Sequence, residues 1–129
     1  WFHTEDRKVH PREGILRLLA KGISLDAVVC YNDQIAMQII PALASRGIRV
    51  PEDISVTGYD NSCMAMGDGF HLTTIVHPQE KLGEMAAQLL LSLLRGETLQ
   101  PEQSKILIQP ELVVGNSCCG IFTSKYTTC

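Results

Sequence analysis

The chain has 129 residues, of which 45% are hydrophobic and 19% charged, and its formal net charge is -3. That is enough chain for one domain with a real core, and the balance excludes disorder. The mild acidity gives this segment no electrostatic reason to bind DNA or RNA, and its longest apolar run, around Leu89 to Leu94, is too short to span a bilayer.

In chain order, residues 1 to 10 are polar after Trp1-Phe2. Residue 1 is not Met and no signal segment follows it, so a fragment cut from a longer chain is expected. Pro11 suits a first helical turn, where its missing N–H would be unpaired anyway. Arg12 to Lys21 sets Ile15, Leu18 and Leu19 at helical spacing, and Gly22 is the stop. Asp26 to Tyr31 contains the apolar run Ala27-Val28-Val29-Cys30, which reads as a buried strand. Asn32 and Asp33 end it and can cap a helix carrying Ile35, Met37, Ile39, Ile40 and Leu43, with Pro41 expected to bend it and Gly47 to stop it.

Arg49 to Asp53 reads as a loop, Ile54 to Gly58 as a second strand, and Tyr59-Asp60-Asn61 as the turn after it. Residues 62 to 71 make a Gly- and Met-containing loop or short helical turn, and Leu72 to Val76 a third strand. Pro78 opens the longest helix, with Leu82, Met85, Ala86, Leu89, Leu90 and Leu93 on one face and Gly96 beyond its end. Lys105 to Gln109 and Leu112 to Val114 read as strand segments split by Pro110, and the polar tail from Ser117 is expected to fray. Helices alternating with strands predict an α/β fold: a mainly parallel sheet flanked by helices.

Ligands of such sheets bind beyond the C-terminal strand ends. Two ends carry short polar residues, Tyr31-Asn32-Asp33 and Gly58-Tyr59-Asp60-Asn61. The Asp60 carboxylate can accept two hydroxyl hydrogen bonds, and Asn32 offers both donors and an acceptor. That pair suits a neutral polyol and repels a phosphate. The same residues serve equally well as a helix cap and a turn, so a purely structural role stands beside the binding one. His77, between the third strand and the long helix, is a candidate for ligand contact. Trp1 could stack on a sugar face, whereas His3, His10 and His71 read as surface residues. No nucleophile–base set, phosphate loop or zinc spacing is present, which argues against an enzyme, a cofactor or a metal. The five Cys read as reduced thiols, with a strained Cys118–Cys119 pair as the alternative.

Several linked segments carry a resemblance. Asp26-Ala27-Val28-Val29-Cys30-Tyr31-Asn32-Asp33-Gln34-Ile35-Ala36 resembles the "A-x-x-x-x-N-D-x-x-A" segment of the lac repressor/galactose repressor family. The run from Gly47 through Val50-Pro51-Glu52-Asp53-Ile54-Ser55-Val56 to Gly58-Tyr59-Asp60 is similar to its "G-x-x-V-P-x-D-I-S-V-x-G-Y-D". Leu72-Thr73-Thr74-Ile75, the Gly83 to Ala87 stretch and Glu111-Leu112-Val113-Val114 follow in order, so the resemblance covers roughly Gly14 to Ser117. The Thr73 to Ala87 run is similar to arabinose-responsive repressors, which join a GntR-type winged helix to such a sensor.

The resemblance implies the C-terminal lobe of a periplasmic-binding-protein-like sugar sensor in a cytoplasmic, dimeric repressor. Residues 1–76 would belong to that lobe, 77–105 would form a crossover helix of the N-terminal lobe, and 106–129 would return. Asn32 and Asp60 would bind sugar hydroxyls, His77 would lie at the cleft, and Met37 and Met64 would face the dimer partner. The implied effector is a neutral sugar such as L-arabinose, and DNA would be read only by a domain outside this sequence. Gly115 departs from the family, which often has Arg there, and puts a local anchor in doubt. A periplasmic sugar-binding protein for transport is the rival reading. A small α/β enzyme using His77 or a Cys lacks an orienting partner set.

Overall fold

The computed structural model describes residues 9–62, 69–98 and 105–120. The elements run α1 (Pro11–Ala20), β1 (Ala27–Val29), α2 (Asp33–Ala44), β2 (Ser55–Thr57), β3 (Thr74–Val76), α3 (Gln79–Leu94) and β4 (Glu111–Val113). His77–Glu111 forms a compact unit separate from the rest of the chain.

In the larger unit, β1 and β2 pair in parallel, Ala27 with Ser55, Val28 with Val56 and Val29 with Thr57. Alternation along each strand sends Val28, Cys30 and Val56 to one face. There they meet Ile15 of α1 and Ala36, Ile39, Ile40 and Leu43 of α2, and Val56 and Leu43 lose all contact with solvent. The other face carries Val29 and Tyr31, 80% and 85% exposed. Pro41 lies within α2 without ending it. It sits on the exposed side, where the carbonyl it leaves unbonded one turn back can meet water.

The expected parallel pairing holds for β1 and β2; the described strands fall into two pairs, β1–β2 and β3–β4, joined by a parallel bridge between Thr57 and Thr73. Ser117 sits where the two ladders split. Its carbonyl accepts the Val56 N–H (2.8 Å), its hydroxyl donates to the Val56 carbonyl (2.6 Å), and the same hydroxyl accepts the Thr73 N–H (2.8 Å). The expected fraying therefore does not begin at Ser117, which is fully buried. Its side chain fills both hydrogen-bonding gaps of a splayed strand pair.

Just before it, Asn116 exchanges two 2.8 Å bonds with the His71 backbone. A Cβ at Gly115 would collide with the His71 carbonyl, so no larger residue fits there. The anchor that the sequence left in doubt is supplied by Asn116 and Ser117.

The second correction concerns Lys105 to Gln109, which forms no strand. Its β-branched and apolar residues pair with no strand among the described residues, and Leu107 is 84% exposed. In the smaller unit α3 starts after Pro78 and stops before Gly96, whose φ of 76° only glycine adopts freely. No residue of α3 is buried, and Leu90, Leu91, Leu93 and Leu94 are all exposed.

The loop between α2 and β2 is closed by Asp53, whose carboxylate accepts the Arg49 backbone N–H (2.8 Å) and its Nε (3.0 Å) and Nη2 (2.8 Å). The hydrogen bonds from Arg49 hold the Asp53 carboxyl down at about 2, against an ordinary 3.8.

Removing the side chain that α2 drives deepest tests the core. Leu43→Ala should cost about 2–5 kcal/mol in urea unfolding, because the emptied space cannot fully collapse. A second test follows from Asp53. Its folded-state pKa lies below the unfolded one, so its contribution is present above about 3.8 and is lost as pH falls toward about 2. Both partners are exposed and water screens the pair. Asp53→Asn should thus lower Tm by a few degrees at most at neutral pH, with parent and variant converging in thermal scans taken through that acid window.

Candidate functional site

The C-terminal ends of β1 and β2 form a polar rim. Carried past the strands, their register sets Asn32 opposite Asp60. The segments stay adjacent there, since the Cys30 N–H donates to the Thr57 carbonyl and the Asp33 N–H to the Tyr59 carbonyl, both at 2.9 Å.

Asn32 is the N-cap of α2: extended at φ −153° and ψ 174°, its Oδ1 accepts the Ile35 N–H at 3.0 Å. An asparagine suits this place because its short side chain reaches back to an orphan helix donor. The cap occupies only the oxygen. The Asn32 Nδ2 has no partner among the described residues, and the side chain is half-buried. It remains a two-hydrogen donor at the rim.

Asp60 is held in an unusual backbone state, with φ 96°, followed by Asn61 at 47°. Left-handed conformations cost a non-glycine residue about 1–3 kcal/mol unless the surroundings enforce them. Here three bonds enforce them. The Asp60 N–H donates to the Ile75 carbonyl (3.0 Å), the Asn61 N–H to Thr74 Oγ1 (3.4 Å) and the Ser62 N–H to Asp33 Oδ2 (2.8 Å). The Asp60 carboxylate itself is half-buried and has no partner among the described residues.

Asp33, only 4% exposed, lies beneath this turn. Besides Ser62, it accepts the Thr74 hydroxyl at 2.6 Å on Oδ1. A Cβ at Gly58 would strike Asp33 Oδ1 and come within 2.8 Å of Leu72 Cδ2, so the strand must carry glycine there. The same carboxylate acts on Cys30. Burial first, and the charge of Asp33 second, push that thiol up to about 12. Cys30 is buried and unreactive at neutral pH, and Cys30, Cys118 and Cys119 are all free thiols.

The rim therefore unites Asn32 and Asp60, and the capping role weighed for Asn32 is real and coexists with a free donor. His77 directly follows β3, half-buried, as the first residue of the smaller unit. Met37 is half-buried on α2. Trp1, His3 and Met64 lie outside the described residues. Among the described residues no cluster of His, Cys, Asp or Glu could hold a metal, and no helix is long and apolar enough to cross a membrane. Sequence reasoning read Asp33 only as a cap and gave Thr74 no role. No local pattern links two residues forty positions apart. Chemically, the rim offers a carboxylate without a partner among the described residues and an amide donor.

The family profile described as "Periplasmic binding protein-like domain" matches residues 3–118. The arabinose metabolism transcriptional repressor of Halalkalibacterium halodurans is 36% identical over 121 residues, covering 90% of this chain and 32% of the relative. The chain thus spans about a third of that protein's length. Among solved structures, a LacI family transcriptional regulator from Arthrobacter sp. FB24 in complex with lactose superposes with a TM-score of 0.71 at 29% identity, over 84% of this chain and 41% of that one. The lac repressor dimer bound to operator and the anti-inducer ONPF gives 0.73 at 29% identity, over 85% and 37%.

Gly58→Ala tests the close approach under the rim. Its methyl group must displace a buried carboxylate oxygen or Leu72, and the protein should lose about 1–3 kcal/mol of unfolding free energy by denaturant titration.

Proposed function

This chain belongs to the periplasmic binding protein-like domain family, with LacI-family regulators as its structural neighbours, and from that premise we propose that it is the effector-binding part of a transcription repressor controlled by a neutral sugar. One observation carries the reading. The Asp60 carboxylate, fixed in a strained backbone at a strand end, has no protein partner among the described residues, and the Asn32 amide nitrogen beside it has none either. A carboxylate accepts from two vicinal hydroxyls and the amide donates to a third oxygen, which is the pattern an uncharged carbohydrate presents.

L-arabinose is the effector we favour, supported by the name of the Halalkalibacterium relative; lactose, bound in the Arthrobacter regulator, is the comparison. His77 and Trp1 would add contacts from their side of the cleft. The helix α3, with residues 77–105, would belong to the N-terminal lobe, where its uncovered leucines would find partners. Met37 and Met64 would face a second copy in a homodimer, and DNA would be held by a separate N-terminal domain of a cytoplasmic protein. Sugar would shift the balance between two arrangements of the lobes and so change operator affinity. The transport reading draws no support from relatives that are transcription regulators, and no enzyme role is proposed.

The test is calorimetric titration of the intact protein with L-arabinose, D-galactose and lactose. Binding of at least one is expected. Asp60→Gly should then weaken it by about 100-fold or more, because two charge-assisted hydrogen bonds are lost. Its Tm should stay within a few degrees of the parent, since glycine accepts φ 96° without strain. Asp60→Ala removes the same carboxylate and adds a strained Cβ, so it is the less clean variant. Undiminished affinity in Asp60→Gly, or no response to any neutral sugar, would overturn the reading.

A further inference from the structure

We infer that Asp33, which does not need to touch the ligand, is the residue that holds Asp60 in its binding conformation. The inference rests on the sugar-site reading for its functional meaning and on the geometry of residues 33, 60–62 and 74 for its mechanism.

Asp60 and Asn61 both sit at positive φ, and neither is glycine. Left alone, this turn would relax to negative φ and swing the Asp60 carboxylate off the rim. Of the bonds described above that prevent this, two depend on the Asp33 carboxylate. One is direct, from the Ser62 N–H to Oδ2 at 2.8 Å. The other passes through Thr74: Asp33 Oδ1 accepts the Thr74 hydroxyl at 2.6 Å, which turns that oxygen's lone pairs toward the Asn61 N–H at 3.4 Å. A hydroxyl whose proton is committed to a carboxylate can only accept from its other side.

The backbone N–H of Asp33 also donates to the Tyr59 carbonyl (2.9 Å), so the residue grips the turn before and after Asp60. Asn32, its immediate neighbour, supplies the amide at the rim. One residue therefore links both ligand groups: its side chain holds the turn that carries Asp60, and its backbone continues from Asn32. Its burial, 4% exposed, matters because water cannot substitute for it when it is removed. Helix capping does not account for the arrangement: Asn32 already caps α2, and both oxygens of Asp33 point to other segments.

The experiment uses the intact protein and four forms: parent, Asp33→Ala, Thr74→Val and Thr74→Ser. Affinity for whichever of L-arabinose, D-galactose and lactose binds the parent is measured by calorimetry well below each Tm, alongside Tm and amide hydrogen exchange of residues 60–62. Asp33→Ala and Thr74→Val should each weaken binding by about ten-fold or more and speed exchange at Asn61 and Ser62, while Val56 and Gly58 stay protected. Thr74→Ser, which keeps the hydroxyl, should recover most of what Thr74→Val loses. A lowered Tm with affinity within two-fold of the parent and unchanged exchange would make Asp33 a stability residue only and overturn the inference. If Asp33→Ala does not fold, the Thr74 pair decides alone. If the parent binds no sugar, the ligand reading has failed, and the exchange data still decide whether Asp33 holds the turn.

Discussion

A carboxylate taken out of water keeps its charge cheaply only when its oxygens are filled, and Asp33 fills both with groups from two different segments. The Ser62 N–H belongs to the turn after β2, and the Thr74 hydroxyl to the start of β3. The residue itself begins α2, directly after β1. Three strand ends and a helix start thus meet on one side chain. The absence of a side chain at Gly58 is the complement of that meeting, since any Cβ would occupy the space of the carboxylate. Burial, and after it the nearby Asp33 carboxylate, also raise the Cys30 thiol.

At the middle residue of β2, Ser117 does comparable work with a hydroxyl. There the two strand pairs diverge, and Val56 would keep an unpaired N–H and carbonyl in a site without water. Ser117 satisfies both and takes the Thr73 N–H besides. Polar pins thus hold both the middle of this short strand and the turn that follows it. Between them the apolar contacts of Val56 with Leu43 and its neighbours supply the burial. Beneath the rim the Asp33 carboxylate and the Thr74 hydroxyl pair with each other, and the Ser62 N–H fills the second carboxylate oxygen.

Much of this order was legible in the sequence. Hydrophobic spacing located α1, α2 and α3 within a residue or two, with Gly22 and Gly96 at the stops, both at positive φ. Short apolar runs located β1, β2 and β3, and the residues just past β1 and β2 were read as the candidate rim. What failed depends on partners far away in the chain. Lys105 to Gln109 has strand composition but pairs with no strand among the described residues. Ser117 looks like a polar tail until Val56 and Thr73 appear on either side of it. Asp33 carries an obvious local role as a cap, and that role concealed its contact with Thr74. The positive φ of Asp60 was equally hidden, because no glycine marks it.

The face of β1 that carries Val29 and Tyr31 has a bearing on how such a chain behaves in a tube. Among the described residues one edge of β1 pairs with no strand, and two large side chains beside it stand almost fully in solvent. An open strand edge flanked by apolar surface is a template for another molecule's backbone. In concentrated solution that ribbon is the place where one copy of this polypeptide would offer its backbone to another. A single lysine in place of Val29, on the exposed side of the pleat, would blunt the template without entering the core.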